Sequence, residues 1–274
     1  MKTWFITGVS RGLGRSLAQA ALTRGDRVVG TVRQGMPDLR AAPGQLLILP
    51  LDVAQADAIE PTLQAAFDWA GRIDVLVNNA GYGLLGAVEH ASDAEVERLF
   101  AVDVFGPFRL IRAALPRLRV QNGGHIINVT SIAGRAPGQG SALYAAAKYA
   151  MEGLSAALAR EVAPMGLKVT AVAPGAFRTD FLTDHSIRII RPADDAYAAS
   201  VGTGLSRLQA MAGRQIGDPD RAAQAMLALA DADTPPVHLL LGTDAWQRAQ
   251  AKLAEMQAEM QEWERVTLGT NFPD

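Results

Sequence analysis

The chain has 274 residues, a formal net charge of −2 and no cysteine. That length can bury a large core in one or two domains, and so small a charge gives no basis for binding nucleic acid or an anionic membrane surface. Without cysteine, disulfides and thiol chemistry are excluded, and His90, His125, His185 and His238 are too scattered for ligand spacing, so no metal is expected. The opening MKTWFITGVSRG holds no apolar run of signal-peptide length, and no segment reaches the length of a membrane span, which predicts a cytoplasmic protein.

TWFIT (3–7) reads as a buried strand, followed by a glycine-rich turn and a helix from Arg15 to Arg24 that stops at Gly25. RVVGTV (27–32), LLILPL (46–51) and IDVLVNN (73–79) are the next strands. Ser92 and Glu95 form a capping box that opens a long helix carrying Pro107 and Pro116. HIINVTS (125–131) is a fifth strand, and the Ala-rich stretch Ser141–Ala159 is a helix. KVTAVAP (168–174) is a sixth strand, Asp218-Pro219 starts another helix, and VHLLLG (237–242) is a candidate seventh strand. No repeat, charge block or low-complexity tract divides the chain. Continuous apolar strands separated by helices specify a parallel sheet covered on both faces. The expected architecture is α/β: one doubly wound Rossmann domain of about seven strands over 1–242, with a helical extension of the same domain at 243–274. In that extension Trp246, Ala249, Leu253, Met256, Met260 and Trp263 fall on one stripe. The stripe is expected to lie on the domain or on a partner subunit, with a substrate-covering role as the alternative.

The loop after the first strand carries Gly8, Gly12 and Gly14, with Ser10, Arg11 and Leu13 between them. Glycines there allow tight turns and close approach of a phosphate to a positive helix N-terminus; the plain alternative is a structural turn. At the end of the second strand stand Val32 and Arg33, where an NAD site would place a carboxylate for the ribose 2′-hydroxyl. Two guanidiniums, Arg33 and Arg11, suit a 2′-phosphate, so NADP is expected over NAD unless Arg33 merely faces solvent. In the Ala-rich helix Tyr144 and Lys148 share a face. A nearby ammonium lowers a phenol pKa from about 10 by roughly one to three units, which would fit Tyr144 for general acid/base work. The bland alternative is a buried tyrosine beside an unrelated exposed lysine.

Taken in order, Thr7-Gly8-x-x-x-Gly12-x-Gly14, Asn78-Asn79-Ala80-Gly81, Ser131, Tyr144-x-x-x-Lys148 and Pro174-Gly175 resemble the short-chain dehydrogenase/reductase family over about residues 3–242. NNAGYGLLG and PPVHLLLG look more like its steroid- and retinol-type branch than like acyl-carrier-protein reductases. The resemblance implies that Tyr144 exchanges a proton with the substrate oxygen and Ser131 orients that oxygen. Lys148 would lower the Tyr144 pKa and hold the nicotinamide ribose. Asp52 and Val53 would meet the adenine, Asn79, Ala80 and Gly81 would pack beside the adenosine half, and Pro174, Gly175, Phe177 and Thr179 would receive the nicotinamide carboxamide. The implied activity is NADP(H)-dependent interconversion of a carbonyl and a secondary alcohol, in a homodimer or homotetramer. Asp103 departs from the family, which usually has Asn there to hold a relay water; a carboxylate would hold the Lys148 ammonium and offset part of its pull on Tyr144. A nucleotide-sensing regulator without turnover and an epimerase or dehydratase are the competing functions. The loop at about 176–217, with Phe177, Phe181, Leu182, Ile187, Ile189, Ile190 and Tyr197, implies an apolar or aromatic substrate or simply packs itself.

Overall fold

The computed structural model describes residues 1–183 and 185–272. Strands β1 (Thr3–Thr7), β2 (Arg27–Val32), β3 (Leu46–Pro50), β4 (Val75–Asn78), β5 (Gly83–Leu85), β6 (Gly124–Val129), β7 (Leu167–Pro174), β8 (Ile187–Ile189) and β9 (His238–Leu241) alternate with helices. The helices are α1 (Gly12–Thr23), α2 (Ala56–Ala70), α3 (Asp93–Phe100), α4 (Gly106–Val120), α5 (Ala142–Val162), α6 (Thr203–Ala210), α7 (Pro219–Asp231), α8 (Thr243–Glu262) and α9 (Glu264–Leu268).

Seven strands form one parallel sheet in the order β3-β2-β1-β4-β6-β7-β9. The strands are apolar throughout because both faces are covered. In β1, Trp4 and Ile6 point into a cluster with Leu17, Ala21, Ala223 and Met226 of α1 and α7. Phe5 points the other way, among Leu63 of α2, Leu110 of α4 and Leu158 of α5. The chain direction of strand addition reverses between β1 and β4, and a doubly wound sheet opens its ligand crevice outside the carboxyl ends at that point.

The sheet agrees with the sequence-based expectation, and three details differ. Helix α1 begins at Gly12, three residues before the expected start, so the glycine loop itself forms the helix N-terminus. The long helix after Ser92 is broken by a π-helical turn at Ala101–Phe105. A separate two-stranded parallel ladder joins β5 to β8, with Gly83, Leu84 and Leu85 opposite Ile187, Arg188 and Ile189. Three-residue strands carry too little alternation to be read from sequence. The stripe on α8 also departs from one of its two expected placements: Ala249 is buried against the domain, whereas Trp246, Leu253, Met256, Met260 and Trp263 are exposed. Among the described residues no helix is long and apolar enough to cross a membrane.

Candidate active site

A cleft of about 1050 Å³ lies at the carboxyl ends of the strands and runs from the glycine loop to α5 and α6. Its first end is built on β1. Gly8 (φ +73°) and Gly12 (φ +58°) adopt left-handed conformations that glycine tolerates best. A Cβ on Gly14 would lie 2.3 Å from both the Gly8 carbonyl and Asn79 Nδ2, so close helix-to-turn packing requires glycine there. Asn79 braces the loop by donating to the carbonyls of Thr7 (2.9 Å) and Gly8 (3.1 Å). The Thr7 hydroxyl in turn accepts from the backbone N–H of Asn79 and Ala80, each at 3.0 Å. Ser10, Leu13, Ala80 and Gly81 line the same end of the cleft.

Arg33 is exposed on the cleft wall just past β2. Arg11 is engaged elsewhere: its Nη2 donates to the His185 carbonyl (2.8 Å) and its Nε to Ser186 Oγ (3.1 Å), tying the glycine loop to the segment before β8. Asp52, beside Val53 on the cleft wall, is paired with Arg98 at 2.8 Å and caps the Ala54 N–H at 3.0 Å. Burial would raise the Asp52 carboxyl, but its hydrogen bond and charge pairing with Arg98 hold it below its ordinary value. Arg98 escaped the sequence reading because a residue 46 positions away supplies its reason.

At the other end Ser131, Tyr144, Lys148 and Asp103 converge. Ser131 follows β6, and its Oγ accepts from the Ala133 N–H at 3.1 Å. Tyr144 and Lys148 lie one helical turn apart on α5, both buried, with Lys148 Nζ 5.5 Å from the phenol ring centre. Lys148 donates to the Val129 carbonyl (3.4 Å) and lies 3.0 Å from Asp103 Oδ2. Asp103 sits in the π-helical turn, fully enclosed, with its Oδ1 accepting from the Tyr82 N–H at 3.1 Å. The Cβ of any residue at Gly81 would stand 3.0 Å from Asp103 Oδ2, so the Asn79–Gly81 turn leaves just enough room for this pair.

The electrostatics correct one expectation. Lys148 pulls the Tyr144 phenol down, and so does hydrogen bonding from Ser131, but burial and the Asp103 carboxylate outweigh them and push it above its ordinary value. Burial alone would lower Lys148; the Asp103 carboxylate and Tyr144 outweigh it and hold the ammonium above its ordinary value. Lowering of Tyr144 therefore needs a change in this charge balance.

Pro174 ends β7, and the Gly175 N–H donates to the Leu241 carbonyl at 2.8 Å. Asp244, at the start of α8, accepts from the Ala176 N–H at 2.8 Å and lies so near Gly175 that a Cβ there would be 2.2 Å from its Oδ1. Phe177 and Thr179 complete this wall, Thr179 beside Gly12. Nothing local in the sequence points to Asp244, whereas Phe181, Leu182 and Ile187 of the apolar loop expected at 176–217 do reach the wall facing Tyr144. That wall consists of Leu85, Ala133 and Ile187 with Phe181, Leu182, Leu205 and Leu208, and the Tyr144 and Phe181 rings stand 6.0 Å apart. Beneath the site, buried Glu152 bonds Thr130, the neighbour of Ser131, and pairs with Arg135 (3.0 Å) and His238 (3.1 Å).

The family model for short chain dehydrogenase matches residues 2–188. The chain is 35% identical to the Botryotinia fuckeliana protein named Oxidoreductase BOA17, over 98% of this chain and 99% of that one. It is 38% identical to a short-chain dehydrogenase from Streptomyces avermitilis whose crystal structure superposes with a TM-score of 0.89, covering 99% of this chain and 100% of the other. ElxO, solved with NADP bound, is 26% identical, with a TM-score of 0.72 and coverage of 88% and 96%. With a matched family model, full-length relatives and the ordered motifs placed around one cleft, the chain belongs to the short-chain dehydrogenase/reductase family of oxidoreductases.

Proposed function

We propose that the protein is an NADP(H)-dependent oxidoreductase that interconverts a carbonyl and a secondary alcohol on an apolar small molecule. The observation that carries this reading is that Ser131, Tyr144 and Lys148 line one end of a cleft whose other end is the loop carrying Gly8, Gly12 and Gly14, with Arg33 on its wall. The residues suit a dinucleotide with a 2′-phosphate: Gly12 leaves backbone N–H groups approachable at the N-terminus of α1, and β2 ends on Val32 followed by Arg33, where no carboxylate stands. Bound NADP(H) supplies or accepts the hydride. Tyr144 gives the substrate oxygen its proton in reduction and takes it back in oxidation, Ser131 donates a hydrogen bond to that oxygen, and Lys148 supplies the positive charge beside both. Leu85, Ile187, Leu205 and Leu208 exclude water from the reacting end and select an apolar substrate. Following NADPH absorbance with a panel of apolar ketones and alcohols tests the reading. Tight NADPH binding without turnover on any of them would return the protein to the nucleotide-sensing alternative.

Arg33→Ala should weaken NADPH about ten- to hundredfold, the effect of losing one charge-assisted hydrogen bond of about 1.5–3 kcal/mol, and leave NADH nearly unchanged. Equal losses for the two cofactors, measured by fluorescence titration, would show that Arg33 does not read the phosphate.

Asp103→Asn removes a negative charge that raises both Tyr144 and Lys148. The phenolate then forms more easily, so the pH profile of alcohol oxidation should move to lower pH by a fraction of a unit to about one unit. An unmoved or upward-shifted profile would mean that the carboxylate does not tune the site.

A further inference from the structure

We propose that Glu152 is a positioning residue for the reaction assigned above: its carboxylate ties both ends of the segment that carries Ser131 to the helix that carries Tyr144. The inference rests on that reaction and adds a residue outside the cleft, whose lining includes Thr130 but not Glu152 or Arg135. Tyr144, Lys148 and Glu152 recur at intervals of four along α5 and are all buried, so one face of one helix presents a phenol, an ammonium and a carboxylate in line. Ser131 belongs to a different element. It follows β6 and opens a single 3₁₀ turn, Ile132–Gly134, which ends at Arg135. A turn this short has little internal bonding, so docking against α5 decides where the Ser131 hydroxyl stands.

Three contacts make that docking. A Cβ on Gly134 would stand 2.9 Å from the Lys148 backbone carbonyl carbon, so the turn lies directly on α5. Ahead of Ser131, the Thr130 hydroxyl donates to Glu152 Oε1. Beyond the turn, Arg135 Nη2 pairs with Glu152 Oε2 at 3.0 Å, and His238 Nδ1 of β9 approaches the same oxygen at 3.1 Å. At 7% exposure an ionised carboxyl persists only with such partners, and occupying both oxygens from separate elements leaves it a single place. A purely architectural ion pair would affect folding alone. Glu152 has a further reach, because burial and the Asp103 carboxylate raise the Tyr144 phenol, while Lys148 and the hydrogen bond from Ser131 oppose them. Lys148 and Asp103 are the charged groups facing Tyr144, and they pair with each other at 3.0 Å, whereas Glu152 pairs with Arg135 and His238. Glu152 therefore reaches Tyr144 through the placement of Ser131.

Glu152→Met would strand the Arg135 guanidinium, so the tether is cut first from the other side. Thr130→Val keeps the outline of the side chain, removes the hydroxyl and leaves the Glu152–Arg135 pair in place. The probe is the apolar alcohol of the panel above that the parent oxidises fastest with NADP. Thr130→Val should lower kcat by about 10- to 100-fold, the effect of a small misplacement of a reacting group, and leave NADPH binding by fluorescence titration near the parent's. Its pH profile for alcohol oxidation should move to higher pH by a fraction of a unit to about one unit, because the phenolate loses a hydrogen bond. In Ser131→Ala the same substitution should change neither kcat nor the profile further, since the hydroxyl it positions is gone. Glu152→Met/Arg135→Met removes both charges of the pair together and should reproduce the upward shift. An unmoved profile in either folded variant, or a Thr130→Val loss as large in Ser131→Ala as in the parent, would overturn the inference and leave the reaction standing. Ser131→Ala with the parent's kcat and profile would overturn both.

Discussion

Tyr144→Phe should bind NADPH as the parent does and turn over about 10² to 10⁴ times more slowly. The phenyl ring keeps its packing with Leu85, Ala133, Ile187 and Phe181, so the wall of the cleft survives. What disappears is one hydroxyl whose proton the substrate oxygen exchanges. In barrier terms that is about 3 to 5 kcal/mol, felt in the transition state and hardly in the ground state, so kcat should fall with little change in KM. The comparison is made by steady-state kinetics on any substrate the parent accepts, beside a cofactor titration. Turnover within a few-fold of the parent would remove Tyr144 from the role of acid and base.

Lys148→Met should cost stability as well as activity. Asp103 is enclosed, and Lys148 is the cation beside it at 3.0 Å. Removing one partner of a buried pair strands the other, a loss of about 3–5 kcal/mol. The carboxyl has an escape, since burial already pushes its pKa upward and a protonated acid needs no counter-ion. A raised folded-state pKa means that the penalty is smallest at acid pH and grows as pH climbs through the unfolded value of about 3.9 to the folded one. Urea unfolding across that range should show the Met variant approaching the parent at low pH and falling away from it toward neutrality. Lys148→Met/Asp103→Asn should regain most of the neutral-pH stability, because the amide oxygen can still accept from the Tyr82 N–H, yet remain inactive. A Met variant as stable as the parent at neutral pH would show that the pair does not hold the site together.

Features legible in the sequence are those decided locally. The strand TWFIT, the glycine spacing, the Ser92 cap and the Tyr144–Lys148 turn each carry their reason within a few residues, and the structure places all of them as expected. Where a side chain's partner is distant, the residue type alone misled or said nothing. Arg11 looked free for a phosphate, but the chain brings His185 and Ser186 within its reach. For Tyr144 the sequence shows Lys148 and the partial offset by Asp103, but not the burial, which with the Asp103 carboxylate outweighs Lys148 and reverses the direction. Asp244 and Arg98 are ordinary surface residue types whose positions matter only once the sheet has assembled.

The π-helical turn at Ala101–Phe105 has a consequence for what the chain can tolerate. A regular helix advances about 100° per residue, so the one residue of slack in that turn sets the rotational phase of everything before it relative to α4. Deleting a single residue from 101–105 would not merely remove a side chain; it would rewind the rod to regular pitch and turn Leu99 out of the core while Leu110 stayed in place. Asp103 would swing away from Lys148 in the same motion. The length of this segment is therefore as much a requirement of the site as the identity of any residue in it, and insertions or deletions there should be far less tolerated than point substitutions.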